Sequence, residues 1–62
     1  MKTNIEIAFK NGEKCLFDAN CFGFEDDGFC YLDFVNDKDE GKLVACVLTS
    51  EIRYLKFVEV EV

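Results

Sequence analysis

Residues 9–15, FKNGEKC, hold the local signal that decides the fold. Asn-Gly between two apolar stretches is typical of a β-hairpin turn. A two-residue loop would place Ile7 opposite Leu16, whereas a three-residue loop places it opposite Cys15. Only the longer loop gathers the apolar side chains on one face, because a one-residue slip would exchange the two faces. We therefore predict a bulged turn with Gly12 in the left-handed region and Cys15 pointing inward.

Residues 22–34, FGFEDDGFCYLDF, repeat the same pattern. With the three residues DDG as the loop, Phe24 pairs with Cys30 and Phe22 pairs with Leu32. The large apolar side chains then again share one face of a hairpin. Two hairpins with local turn signals make an antiparallel β-fold the firm expectation.

The rest of the chain also alternates with period two, and no convincing helical period is present. The apolar parity changes near residues 20–21, which predicts a bulge or corner. Residues 43–48 are apolar on both faces, as in a central strand covered twice. A closing strand ends in VEVEV, and its parity predicts a bulge at residues 57–58. We predict one all-β domain, residues 1–62: an antiparallel meander of five or six strands in a strongly bent sheet or partly closed barrel.

Composition excludes several function classes. The 62 residues carry a net charge of −6 and contain no His. Direct nucleic-acid binding is disfavoured, because an acidic chain has no cationic patch to meet phosphates. The absence of His removes the usual general base, and no Gly-rich phosphate loop is present, so we expect no enzymatic activity and no cofactor. The acidity fits a partner with a basic surface, or imitation of nucleic-acid charge.

The four cysteines are Cys15, Cys21, Cys30 and Cys46. No pair has the C-x2-C spacing of a zinc loop, so small hydrophobic packing is the favoured interpretation. A zinc site assembled across strands, and redox or disulfide use, are the alternatives. The acidic loop 36–41, NDKDEG, does not follow the EF-hand pattern, because Lys38 falls at a liganding position. We predict no metal site.

The first ten residues, MKTNIEIAFK, lack the apolar core and cleavage site of a signal peptide. No segment approaches the roughly 18 apolar residues that a membrane span requires. We therefore expect a cytoplasmic protein that does not bind membranes and keeps its thiols reduced.

One surface stands out as a candidate partner-binding site. Phe29 and Tyr31 lie on the face opposite the predicted core, directly after the acidic turn residues Glu25, Asp26 and Asp27. Aromatic side chains anchor interfaces, and charge steers the encounter with an oppositely charged partner. These five residues are the predicted site.

Self-association is also expected, most simply as a symmetric homodimer. A domain this short buries little area by itself, and the sheet has two apolar faces. Face-to-face packing through Phe29 and Tyr31 is favoured. The terminal VEVEV, residues 58–62, offers an edge for strand pairing, but its glutamates are a common guard against such pairing.

The order IEIAFKNG…CLFDA, an aromatic hairpin, KLVACVLTSEI and a closing strand resembles the short acidic all-β proteins of bacteriophages and mobile elements of low-GC bacteria. The resemblance is one of layout and composition over most of the chain. It implies a protein-binding module, such as an inhibitor that blocks a host or defence protein. Two alternatives stay open: an oligomer that sequesters a nucleotide-like small molecule, and an acidic mimic of nucleic acid.

Overall fold

The computed structural model describes residues 2–61, which form six antiparallel strands and no α-helix. The strands are β1 (Lys2–Phe9), β2 (Lys14–Phe17), β3 (Cys21–Phe24), β4 (Phe29–Val35), β5 (Gly41–Leu48) and β6 (Ile52–Val60). A single 3-10 turn, Thr49–Glu51, connects β5 to β6.

The strands form two three-stranded sheets rather than one. Sheet A has the order β2-β1-β6, and sheet B has the order β3-β4-β5. The predicted all-β antiparallel class is confirmed. The prediction of a single meander is wrong because the last strand returns to pair with the first, and the two sheets do not form a closed barrel.

Both predicted hairpin registers are confirmed. Ile7 lies opposite Cys15 in sheet A, and Phe24 lies opposite Cys30 in sheet B. Each turn ends in a glycine with positive φ, +94° at Gly12 and +88° at Gly28. Both turns need this left-handed backbone, which glycine adopts without steric cost.

The chain crosses from sheet A to sheet B through Asn20. The Asn20 side-chain amide donates to the Val35 carbonyl at 2.8 Å, and its carbonyl oxygen accepts the Val35 N–H at 2.9 Å. The side chain therefore satisfies the backbone at the end of β4, where β3 has no residue to pair with it. The corner predicted near residues 20–21 is confirmed as the crossover between sheets.

The core lies between the two sheets. Its fully buried side chains come from both sheets and the crossover: Ile5, Ile7, Ala19, Cys30 and Leu32. The molecule is 12 Å thick against 33 Å and 27 Å in the other directions, as expected for two layers about 10 Å apart. The core is therefore a thin apolar layer with open sides.

Two other sequence predictions are wrong. β5 is an edge strand of sheet B rather than a strand covered twice, and Leu43 and Leu48 are exposed on it. The irregularity in β6 lies near its start, where Ala8 faces Tyr54 and the next residue of β1 faces Ile52, which leaves Arg53 without a partner opposite. In both cases the pattern of one strand could not reveal which neighbours it would have.

Candidate functional site

The β3–β4 turn holds the three predicted acidic residues. The Glu25 N–H donates to the Phe29 carbonyl at 3.0 Å, and the Gly28 N–H donates to the Glu25 carbonyl at 3.2 Å. These bonds close a loop that holds Asp26 and Asp27 at its tip. All three carboxylate residues are exposed.

Asp27 connects the turn to the strand that follows. One of its carboxylate oxygens accepts the Phe29 N–H at 3.0 Å, and the other accepts the Tyr31 hydroxyl. The bond from Tyr31, followed by the Phe29 N–H, lowers the pKa of Asp27. The same bond raises the pKa of Tyr31 to about 12. At neutral pH the carboxylate is therefore ionised and the phenol is neutral.

Phe29 and Tyr31 lie side by side on the outer face of sheet B. Their ring centroids are 6.5 Å apart with an angle of 50° between the rings, and both residues are half-buried. Across the ladder Phe29 faces Leu48 and Tyr31 faces Cys46, and opposite residues share a face. Leu48 is 49% exposed. The aromatic pair therefore continues into an apolar area on β5.

We call this region the acidic–aromatic surface: Glu25, Asp26, Asp27, Phe29, Tyr31 and Leu48. It brings together all five residues predicted from the sequence and adds one residue from β5. Within residues 2–61 the ion pairs join Lys2 to Asp18 and Lys56 to Glu6, so the turn carboxylates have no cationic partner there. The surface thus presents uncompensated negative charge beside exposed apolar area.

A second apolar feature was not predicted as a surface. Phe22 and Phe24 of β3 and Phe57 of β6 form an exposed ring cluster where the edges of the two sheets meet. The Phe22 ring lies 5.7 Å from each of the other two rings, between centroids. Parity correctly assigned Phe22 and Phe24 to the inward face of their hairpin. It did not assign Phe57, and it does not say that both strands are edges. Knowledge of the strand order was the missing signal.

We call this cluster, with the groove beside it, the aromatic opening. The groove has a volume of about 310 Å³ and is lined by Phe22, Phe24, Thr49, Ile52, Arg53, Tyr54 and Leu55. The Thr49 hydroxyl oxygen is buried and has no hydrogen-bond partner within residues 2–61. Arg53 is exposed, and the described part of the chain offers it no ion pair.

A larger groove of about 470 Å³ lies on the opposite side of the sandwich. It is lined by Lys2, Asp18, Phe34, Lys42, Leu43 and Val44. Lys2 is bound to Asp18 at 2.7 Å, which leaves Lys42 as the lining cation that makes no ion pair among residues 2–61. The groove therefore combines apolar side chains, the Lys2–Asp18 ion pair and the ammonium group of Lys42.

The cysteines are all free thiols with different surroundings. Cys30 is buried, Cys15 is half-buried, and Cys21 and Cys46 are exposed. Burial raises the pKa of Cys30 and favours its neutral thiol. Between residues 2 and 61 no group of three or more Cys, Asp or Glu side chains is arranged to hold a metal ion. The described residues also contain no helix long and apolar enough to cross a membrane.

Comparison with known proteins gives no match to any family model, curated protein or solved structure.

Proposed function

We propose that this protein is a non-enzymatic protein-binding module that uses the acidic–aromatic surface to bind a partner with a basic surface. One observation carries the proposal: exposed apolar area on sheet B adjoins carboxylates that have no cation beside them in residues 2–61. A basic partner supplies those cations, and the encounter is steered by charge. The hydroxyl of Tyr31 is bound to Asp27, which restrains the Tyr31 ring and reduces the side-chain entropy lost on binding.

In its most specific form, the proposal makes the protein an inhibitor of phage type that binds and blocks a host or defence protein in the cytoplasm. This form rests on the resemblance in layout and composition to short acidic all-β proteins of phages and mobile elements. Blocking requires only a well-fitted surface, so it suits a chain in which no catalytic group is apparent.

Matched variants on two surfaces test the proposal. Asp26→Lys reverses one charge at the acidic turn, and Asp37→Lys makes the same change in the β4–β5 loop, at the other end of sheet B. Leu48→Ser and Leu16→Ser remove one leucine each from the outer faces of sheet B and sheet A, where the side chains are 49% and 55% exposed. None of these four side chains makes a hydrogen bond or ion pair within the described residues, so all four variants should fold.

The experiment is affinity capture from a bacterial lysate with parent and variants as baits, followed by mass spectrometry of proteins and small molecules. We expect one protein to be captured by the parent, Asp37→Lys and Leu16→Ser, and to be lost with Asp26→Lys and Leu48→Ser. Raising NaCl from about 0.05 M to about 0.5 M should weaken capture only in part, because apolar contacts are not screened. Equal capture by all baits, or no captured protein, contradicts the proposal.

The second candidate function is sequestration of a small anionic, nucleotide-like molecule in the groove that contains Lys42. The volume of about 470 Å³ is within the range of small-molecule sites. A small molecule that co-purifies with the parent and is lost in Lys42→Glu would favour it. Acidic mimicry of nucleic acid would instead appear as capture of a nucleic-acid-binding protein that is abolished at high salt.

A further inference from the structure

The aromatic opening is an interior surface without a cover. Phe22, Phe24 and Phe57 each sit opposite a fully buried core residue in their ladders, so their side chains point between the sheets. They are nevertheless 40%, 53% and 52% exposed. The reason is that β3 and β6 are both edge strands, and in the described part of the chain no further strand covers the rings. Side chains in this position would be covered if both sheets continued beyond their edges.

The solvent-accessible surface area of the molecule is also larger than a compact monomer of its mass should have. The accessible surface is 4484 Å² for a chain of 7.1 kDa. A compact monomer of this mass is expected to expose about 4100 Å². With roughly 200 Å² for each complete aromatic side chain, the exposed parts of the three rings amount to about 300 Å². This area is similar in size to the excess over a compact monomer.

We propose that a second copy of this chain binds at the aromatic opening, with β6 paired antiparallel to the partner's β6. The two-fold axis lies perpendicular to sheet A and passes beside Phe57. This axis keeps the inner faces of both copies on the same side, so the two ring clusters meet and the two cores become continuous. The nine-residue length of β6, without proline, suits it to such pairing.

The charges along β6 are complementary to themselves in this arrangement. The first half of the strand carries Arg53, and the chain beyond its middle carries Glu59 and Glu61. With Phe57 opposite the partner's Phe57, Arg53 lies opposite the partner's Glu61 and diagonal to the partner's Glu59. All three residues are exposed, and in residues 2–61 none of them is in an ion pair.

Neighbouring registers are worse. Centring the pair on Lys56 also places Arg53 opposite an acid, the partner's Glu59, but it places two Lys56 ammonium groups opposite each other. Centring it on Val58 places Leu55 opposite the partner's Glu61. The charges therefore select the register centred on Phe57. They also explain the glutamates of an edge strand: these repel an acidic strand and lose hydration against a neutral one, whereas a strand that presents an arginine pairs with them.

A second copy fits the opening better than the outer face of sheet B, which the sequence favoured. Phe29 and Tyr31 are half-buried there, and the acidic turn beside them would repel its own copy. The three rings and the strand backbones cover less than the roughly 800 Å² per partner of a standard interface, so we expect a dimer of micromolar affinity. This dimer leaves both acidic–aromatic surfaces accessible, and it does not depend on the proposed function.

Charge reversal on β6 provides the test. Molar mass is measured by light scattering after size exclusion, from about 10 to about 200 µM protein, where mass action separates a micromolar dimer from a monomer. The parent should reach twice its chain mass of 7.1 kDa. Arg53→Glu and Glu61→Arg should each raise the dissociation constant at least about tenfold, because each puts like charges opposite one another twice per dimer.

Mixing the two single variants should restore the dimer, since every contact then joins opposite charges again. The double variant Arg53→Glu with Glu61→Arg should dimerise by itself for the same reason. Leu48→Ser is the control on the other surface and should keep the parent mass. Circular dichroism of each variant verifies that the fold is intact.

A monomeric parent at about 200 µM overturns the proposal and leaves the opening to a strand of another protein. A parent dimer that Arg53→Glu does not weaken, or single variants that do not associate when mixed, also overturn it. Loss of the dimer in Leu48→Ser alone would assign self-association to the outer face of sheet B.

Discussion

Each outer face of the sandwich carries a tyrosine bound to a carboxylate, and the two pairs differ in charge balance. On sheet A, the Tyr54 hydroxyl donates to Glu6 at 2.8 Å, and the Lys56 ammonium lies 3.6 Å from the same carboxylate. On sheet B, the Tyr31 hydroxyl donates to Asp27, and no cation is paired with Asp27 within residues 2–61. The carboxylate on sheet A is thus paired with a lysine, whereas the carboxylate on sheet B has no cation beside it in the described residues.

The apolar areas show the same difference. Lys56 lies 5.5 Å from the centre of the Tyr54 ring and covers part of it. On sheet B, Phe29 faces the exposed Leu48 and Tyr31 faces Cys46, and neither ring lies under a cation within residues 2–61. A cation thus covers part of the tyrosine ring on sheet A, whereas no such cation lies over the rings of sheet B within residues 2–61.

The largest expected effect comes from the inner faces, where the two sheets are alike. Ile7 of sheet A and Leu32 of sheet B are both fully buried in the same core. Ile7→Ala and Leu32→Ala should each lower the free energy of unfolding by about 2–5 kcal/mol, through lost burial and a cavity. Urea unfolding at one fixed protein concentration measures this. Burial of one methylene group contributes about 0.8 kcal/mol. A loss under about 1 kcal/mol at either position would therefore mean that the two sheets do not share a core.

The next largest effect on stability is expected at Asn20, where the chain crosses from sheet A to sheet B. Asn20→Ala removes both hydrogen bonds to Val35 and leaves a partly buried backbone N–H and carbonyl without partners. We expect a loss of about 1–3 kcal/mol in urea unfolding. Asn20→Asp is the matched variant: its carboxylate still accepts the N–H but faces the carbonyl, so it should not restore the parent stability. Parent-like stability of Asn20→Asp would contradict the assigned role of the amide.

The two turns give a smaller and equal effect. Gly12→Val in sheet A and Gly28→Val in sheet B should each cost about 1 kcal/mol or more, because a β-branched residue resists positive φ. Gly23→Val is the control: its φ is not in the left-handed region, and a Cβ there meets no atom within 4 Å. Thermal melting should therefore place the control near the parent and both turn variants below it. Parent-like melting of the turn variants would contradict both registers.

Much of the fold could be predicted because hairpin registers are local. The turn residues and the parity of the flanking side chains fix which residues face each other, as at Ile7 with Cys15 and Phe24 with Cys30. Pairing between distant segments is not encoded in this way. The pairing of β6 with β1 depends on how two separate hairpins cover each other, and no local pattern near Phe57 reports it.

The same distinction applies to the site. Asp27, Phe29 and Tyr31 come together within one hairpin, so a sequence pattern could group them. Leu48 joins them through the β4–β5 ladder, and Phe22 meets Phe57 only because two edges coincide. Exposure of an inward-facing ring follows from strand order, and composition and periodicity do not contain that order.

The smallest effect on stability is expected from the hydrogen bond between Tyr31 and Asp27. Titration of the Tyr31 phenol is the most direct test of this bond. Its bond to Asp27 raises the pKa of the Tyr31 phenol to about 12. In the Tyr54→Phe variant, Tyr31 is the remaining tyrosine, so the ultraviolet absorbance of phenolate reports its titration alone. The midpoint of that titration should lie about two pH units above the ordinary tyrosine pKa of about 10. Asp27→Asn in the same background removes the carboxylate and should move the pKa of Tyr31 back toward 10.

The sign of the pH dependence follows from both partners. The pKa of Tyr31 is raised, so the stability that this bond contributes is present below about pH 10 and is lost as pH rises through about 12. The pKa of Asp27 is lowered, so the contribution is present above about pH 4 and is lost as pH falls through the folded value. The free energy of unfolding of the Asp27→Asn variant should therefore differ from that of the parent most between about pH 4 and about pH 10. Below the folded pKa of Asp27 and above about pH 12, the two free energies should converge. A Tyr31 pKa near 10 with Asp27 intact would contradict the hydrogen bond between the two side chains, and with it the proposal that Asp27 restrains the Tyr31 ring for partner binding.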